Sequence, residues 1–275
     1  MTSMCGIAGF VERDGGAGPS REQRAVLVQA MCDVIRHRGP DDEGFYVHDG
    51  VALGMRRLSI IDVATGHQPI TNEDGTIWVV FNGEIYNYRE LRSALERLGH
   101  RFRTATDTET IVHAYEEWGE AAFTHLRGMF GIALWDARAR KLLLVRDRAG
   151  IKPLFYAESA RRLVFGSEIK SILASGEVTP QLEPQALDHY LSFLYTPRTG
   201  SIFKGIHKLP PGHLLSWSAD QYEVRPYWTL PKDETFQGTD QDAVQTLRSV
   251  LADAVSSHMV SDVPIGAFLS GGIDS

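Results

Sequence analysis

The sequence predicts an α+β protein built on antiparallel sheets, and two observations carry that prediction. Short runs of β-branched and aromatic residues, bounded by turn formers, dominate roughly the first 170 positions. Helical patterns interrupt them, yet runs such as 129–138 and 141–147 lie close enough to pair as hairpins. With 43% apolar and 23% charged residues, the chain can also fill a sizeable core.

The expected strands are "CGIAGFV" (5–11), "VALGMRRLSIID" (51–62), "TIWVVFNGEIYN" (76–87), "MFGIALWDAR" (129–138), "KLLLVRD" (141–147), "PLFYAES" (153–159) and "RLVFGSE" (162–168). One helix is expected from a Ser20 cap to Gly39. A second, "NYRELRSALERLGH", puts Leu91, Leu95 and Leu98 on one face and stops at Gly99. "DTETIVHAYEEWGEAAFTHL" reads as a third. Composition shifts near 195, where "YTPRTGSIFKGIHKLPPGHLLSW" reads as an ordered loop region. Residues 217–240 read as a linker, and 241–275 as a helix, the apolar strand "IGAFL" and a Ser-Gly-Gly turn. No internal repeat or low-complexity tract appears.

A net charge of -7 gives no reason to expect nucleic acid or an anionic membrane as the main partner. Two cysteines cannot build a disulfide framework, which favours a reducing, cytoplasmic setting. No apolar run reaches the roughly 20 residues that a membrane span needs, and the first residues do not resemble a secretory signal.

Two stretches point to chemistry. After "IGAFL", the turn "SGGIDS" lets backbone N–H groups approach an anion, with Ser270 and Ser275 as hydroxyl donors and Asp274 beside them. A phosphate loop needs the following helix and a neighbouring sheet, so this stretch alone should not bind ATP; a plain glycine turn is the bland reading. The other stretch is "MCGIAGF". A thiol so near an amino terminus can use its own α-amine, with a pKa of about 8, as the base. That arrangement requires Cys5 to be the first residue of the mature chain. Removal of residues 1–4, or translation from Met4 followed by loss of the methionine, would meet it. Taken alone, Cys5 reads as a buried apolar residue, as Cys32 does. Asn82-Gly83 alone reads as a hairpin turn, Arg56 and Arg57 as solvated strand-end charges, and Asp107 as a helix cap. No His/Cys/Asp spacing resembles a zinc site.

Taken together, "MCGIAGF", "RHRGPDDEG", "RRLSIID", "FNGEIYNYRELR", "TDTE", "RDRAGIKPLFY" and "SGGIDS" change that balance. In this order they resemble the glutamine-dependent asparagine synthetases, whose amino-terminal part is a class II glutamine amidotransferase of the N-terminal nucleophile hydrolase superfamily. The resemblance implies a four-layer αββα sandwich over 5–216, a linker at 217–240, and the first helix and strand of an ATP-pyrophosphatase-like domain over 241–275. It implies a glutaminase step, serving the ligase reaction of a full-length parent, in which Cys5 attacks glutamine to form a γ-glutamyl thioester. Asn82 and the Gly83 N–H would form the oxyanion hole, glycine being needed so that no side chain obstructs the approach. Arg57 would take the substrate carboxylate, Glu84 and Asp107 its ammonium. Leu58, Ser59, Ile60 and Ile61 would add contacts.

His37 is left without a catalytic part, because the family uses the terminal amine. Arg36, Arg38 and Asp147 would buttress the site by ion pairs. The glutaminase step needs no cofactor. ATP and Mg²⁺ would serve a full-length parent that converts aspartate to asparagine through β-aspartyl-AMP, with Leu269, Ser270, Gly271, Gly272, Asp274 and Ser275 in an incomplete ATP loop. The resemblance allows a homodimer, and the sequence is expected to be a piece of a longer protein.

Alternatives remain at the level of sequence. A related enzyme could amidate another carboxylate. Glucosamine-phosphate and phosphoribosylamine synthesis use similar glutaminase halves, but "SGGIDS" argues against them. β-Lactam synthetases would lack the nucleophile. A chain that keeps residues 1–4 could be a silent glutamine-binding module.

Overall fold

A computed structural model describes residues 5–13, 18–58, 66–197, 199–232, 236–260, 262–264, 266 and 269–272. The chain runs β1 (Gly6–Glu12), α1 (Arg21–Asp33), β2 (Asp42–His48), β3 (Val51–Arg57), β4 (Ile70–Thr71), β5 (Ile77–Ile85), α2 (Tyr88–Arg97), α3 (Asp107–Trp118), α4 (Ala122–His125) and β6 (Gly128–Asp136). It continues with β7 (Lys141–Arg146), β8 (Phe155–Glu158), β9 (Arg162–Gly166), α5 (Ile169–Ala174), α6 (Pro184–Phe193), β10 (Ile206–Lys208), β11 (His213–Ser218), β12 (Gln221–Pro226) and α7 (Asp240–His258). The strands form two six-stranded sheets, ordered β10-β8-β9-β1-β3-β2 and β12-β11-β7-β6-β5-β4. Every pairing is antiparallel.

The layers follow from side-chain alternation along strands that are covered on both faces. In β1, Ile7 and Val11 join the apolar layer between the sheets, whereas Ala8 and Phe10 turn toward α1. In β3, Val51, Leu53 and Met55 face the inter-sheet layer and Ala52 faces α1. In β5, Val80 faces inward, while Val79, Phe81 and Ile85 pack beneath α2 and α3. Strands β6 and β7 divide alike: Ala133, Trp135, Leu142 and Leu144 face inward; Ile132, Leu134, Leu143 and Val145 face the helices. The result is helix, sheet, sheet, helix: α1 and α5 cover the first sheet, α2 and α3 the second. Gly54 lets α1 settle on β3, because a Cβ there would sit 2.6 Å from the Cys32 sulfur.

The expected strands are present, although the end of 51–62 and most of "IGAFL" lie outside the described residues; Gly266 and Leu269 are in no strand. Several boundaries differ from expectation. The first helix has a Ser20–Gln23 capping box but ends at Asp33, five residues and a turn before Gly39. Leu98 caps α2 and is exposed, unlike Leu91 and Leu95. The third helix breaks at Gly119, where φ is 56°, and resumes as α4. The loop region after 195 holds β10 and β11. The expected linker at 217–240 takes in the end of β11 and then β12, an edge strand in which Gln221 and Glu223 are polar and exposed. Its tight turn places Ala219 and Asp220 at φ 49° and 62°, without the Asn-Gly signal that would reveal it.

Glu12, at the end of β1, pins α1 to the first sheet. Its carboxylate pairs with Arg24 of α1 at 2.8 Å and Arg162 of β9 at 2.9 Å, all three buried. Glu12→Gln removes the charge that two buried guanidinium groups share, leaving Arg162 with Glu177 at 2.7 Å and Arg24 with Asp49 at 3.3 Å, and is expected to cost about 1–3 kcal/mol in urea unfolding. Arg138→Ala breaks only the exposed pair with Asp74 and should cost less than about 1 kcal/mol. Equal costs would contradict the clamp.

Candidate active site

Alternation along three strands directs four side chains into one place. Cys5 precedes β1 on the parity of Ile7 and packs against the inter-sheet layer. Arg57 continues the inward parity of Met55 on β3. Asn82 and Glu84 continue that of Val80 on β5. They meet at the seam where β5 lies against β1 and β3. Cys5, Arg57, Leu58, Gln68, Phe81, Asn82, Gly83, Glu84, Thr106, Asp107, Thr108 and Lys152 line a single pocket there. Arg56, one residue out of phase, points toward α1 and pairs with Asp33 and Glu43. The alternation thus settles which arginine reaches the pocket.

Cys5 is half-buried, and the Leu58 N–H donates to its sulfur at 3.3 Å. Burial pushes its thiol up, against the Leu58 N–H and the nearby Arg57 and Lys152 charges. The sulfur is therefore protonated near neutrality, and any attack by it needs a base at the moment of reaction. The Cys5 carbonyl accepts from Arg38 at 2.9 Å, and Arg38 pairs with Glu168 at 3.1 Å. His37 also pairs with Glu168, at 2.8 Å, rather than with the thiol. Arg36 is exposed.

Asn82 is 1% exposed, and its Nδ2 makes no hydrogen bond among the described residues. An orphaned buried amide costs about 1–3 kcal/mol, so a structural role alone would not retain it. Here the donor belongs to a residue that lines the pocket. Asn82-Gly83 is not a turn but the middle of the β5–β6 ladder, opposite Gly131 and Phe130. Glycine at 83 also has a reason beyond the expected one: a Cβ would meet the Met129 carbonyl at 2.1 Å. Glycine is needed there for the close approach of the two strands.

Asp107 begins α3, beneath a Thr106 cap. Its Oδ2 accepts from the Ile85 N–H at 2.9 Å. Burial raises its pKa to about 6, with the Glu84 charge adding to the rise. Burial also raises Glu84, and Lys152 opposes it. Lys152 is itself lowered by burial, with Glu84 and Cys5 holding it up. The pocket therefore holds cationic Arg57 and Lys152 together with carboxylates at Glu84 and Asp107, a polarity that suits a zwitterion.

Gln68 links the two sides: its Oε1 accepts from the Phe81 N–H at 2.7 Å and its Nε2 donates to Thr108 at 3.2 Å. Asp147 shapes the opposite wall. Fully buried, it accepts from the N–H groups of Phe130, Ala149, Ile151 and Lys152 at 2.9–3.2 Å. It buttresses by backbone hydrogen bonds rather than the expected ion pair. The sequence reading missed Gln68, Phe81, Thr106, Thr108 and Lys152 as lining residues. The last four lie in stretches already marked as informative, but Gln68 left no signal. Ser59, Ile60, Ile61, Asp274 and Ser275 fall outside the described residues. Leu269, Ser270, Gly271 and Gly272 are exposed and do not line this pocket.

Residues 4–228 match the family described as glutamine amidotransferase domain, and 246–275 match asparagine synthase. The chain is 38% identical over 276 residues to asparagine synthetase [glutamine-hydrolyzing] 3 of Bacillus subtilis, covering 99% of this chain and 44% of the relative. It is 42% identical over 284 residues to asparagine synthetase [glutamine-hydrolyzing] 2 of the same organism, covering 99% and 38%. Amidase chyE of Penicillium rubens is 36% identical over 286 residues, covering 99% and 41%. The chain thus spans less than half the length of these relatives. Among solved structures, the glutamine phosphoribosylpyrophosphate amidotransferase of B. subtilis aligns with a TM-score of 0.59 at 16% identity, over 82% of this chain and 50% of that one. At that identity the likeness concerns the fold.

Asp107 makes the pocket costly to ionise. Its folded pKa, about 6, exceeds the ordinary 3.8, so the folded state binds the proton more tightly. The contribution of Asp107 to stability is then fully present below pH about 4 and is lost as pH rises through about 6. Asp107→Asn should abolish that slope and gain up to about 3 kcal/mol at pH 7.5. Urea unfolding across pH checks this; an unchanged slope would contradict it.

Proposed function

Because the chain belongs to the glutamine amidotransferase domain family, we propose that this pocket hydrolyses free glutamine to glutamate and ammonia through a thioester on Cys5. The observation that carries the reading is the orphaned Asn82 amide in the pocket that holds the thiol and charges of both signs.

The active form begins at Cys5, so that a free α-amine sits beside the raised thiol. The amine takes the thiol proton as sulfur attacks the side-chain amide carbon of glutamine. Asn82 Nδ2 and the Gly83 N–H donate to the oxygen as it gains charge. The tetrahedral centre collapses, its C–N bond breaks, and the amine's proton passes to the leaving nitrogen, releasing ammonia. Water then attacks the thioester with the same amine as base, giving glutamate and the restored thiol. Arg57 holds the substrate carboxylate, and Glu84 and Asp107 its ammonium, so both ends of a free amino acid are engaged. Substrate ammonium requires ionised Asp107, so KM should rise as pH falls through about 6.

The names of the similar proteins extend the reading. In a longer protein of this kind, the ammonia would reach an aspartate activated by ATP with Mg²⁺, giving asparagine in the cytoplasm. Ser270, Gly271 and Gly272 would contribute to the ATP site there. They are exposed here. A different carboxylate acceptor is the second reading, favoured by the amidases at 35–36% identity.

Glutamate release by tag-free chain beginning at Cys5 tests the proposal. Cys5→Ala should be silent. Asn82→Ala should lower kcat by about 10²–10³. Arg57→Gln should act chiefly on KM. Full glutamate release by Cys5→Ala would refute the thioester; loss of kcat without change in KM in Arg57→Gln would refute the carboxylate contact.

A further inference from the structure

Away from the pocket, four side chains converge where α3, the segment after α2 and the turn before β5 meet. His113 of α3 is 1% exposed, and neither of its ring nitrogens makes a hydrogen bond among the described residues. Its Nδ1 lies 3.3 Å from Glu73 Oε2 and 3.9 Å from Glu116 Oε2. His100 Nδ1 lies 3.6 Å from Glu116 Oε2 and 3.9 Å from Glu73 Oε1. One donor atom from each residue lies within 4.8 Å of the other three. A tetrahedral zinc ion, with bonds of about 2.0–2.1 Å, holds its ligand atoms roughly 3.4 Å apart, so the four need only a small contraction.

The surroundings are those of a ligand set. Glu116 Oε1 accepts from Asn72 Nδ2 at 3.2 Å, which turns Oε2 toward the two imidazoles. Glu73 Oε1 accepts from the Arg101 N–H at 2.9 Å, and Oε2 faces His113. Each imidazole has a carboxylate on its other nitrogen: Glu117 lies 3.2 Å from His100 Nε2, and Glu109 lies 3.5 Å from His113 Nε2. Carboxylates in that position orient metal-binding histidines and raise their basicity. Glu109 is fixed in turn by the N–H groups of Arg103 and Thr104, each at 2.7 Å. A surface depression lined by Glu73, Leu98, His100, Arg101 and Glu116 leads to the cluster. Only His113 and Glu116 are near neighbours in sequence, which explains why local spacing suggested no zinc site.

We propose that Glu73, His100, His113 and Glu116 bind one divalent transition-metal ion of the zinc class. The ion would tie three segments together behind α3, the helix that presents Asp107 to the pocket. It would act as a structural clip and take no part in the chemistry at Cys5. The proposal is independent of the glutaminase reading.

Calorimetric titration of tag-free, chelator-stripped protein with Zn²⁺ tests it. The Cys5→Ala form removes a competing sulfur ligand. One equivalent should bind and raise Tm, and Co²⁺ in its place should give the intense visible bands of a tetrahedral site. His100→Gln and Glu116→Gln should each weaken binding by more than about 10-fold. These two replace groups nearer the surface than His113, whose loss could unfold the chain. No stoichiometric binding would overturn the proposal, and so would binding that both variants leave unchanged, because the ion would then sit elsewhere.

Discussion

The apolar layer between the two sheets is the constraint on which the site depends. Ile7, Leu53 and Met55 of the first sheet pack with Val80, Ala133 and Leu144 of the second. That contact fixes the ends of β1, β3 and β5 relative to one another. The pocket is then a consequence of parity: the positions that continue the inward face beyond the apolar residues are Cys5, Arg57, Asn82 and Glu84. A one-residue slip in any of the three strands would turn its functional side chain to the helix side. The close β5–β6 approach, which admits only glycine at 83 and 128, holds that register.

Around the seam, the chain maintains polar groups that do not favour folding. Asp107 is buried with its pKa raised, Asn82 has a donor without a partner, and Lys152 is buried close to Glu84 and the thiol. Such groups are costly in the interior, and the fold supports them elsewhere. Asp147 gathers four backbone N–H groups to shape the wall that carries Lys152. Gln68 ties β5 to the start of α3. Arg38 fixes the backbone at Cys5. A ligand that is charged at both ends and develops an oxyanion would satisfy the groups that burial makes costly. This is the physical basis for reading the pocket as a site for glutamine.

Much of this was legible in the sequence because alternation and turn chemistry are local. The main strands followed from runs of β-branched and aromatic residues between turn formers, and the start of α1 from its Ser20 cap. The family followed from motifs whose order no single stretch could establish. What was not legible depends on distant partners. β12 looked like linker because half its residues are polar, as an edge strand requires, and its Ala-Asp turn lacks glycine. The break at Gly119 needed a backbone angle. The reason for Gly83 needed the opposing Met129 carbonyl. Gln68 and the histidine–glutamate cluster draw on residues separated by tens of positions, where no spacing rule applies.

The central claim is that Cys5 carries the glutamyl group. The most direct measurement is mass spectrometry of peptides from the chain beginning at Cys5, mixed with glutamine and quenched in acid within the first turnover. A glutamyl group on the peptide that starts at Cys5, absent when glutamate replaces glutamine, is the predicted result. Turnover of glutamine with that peptide never modified, under conditions where a thioester standard survives the quench, would contradict it.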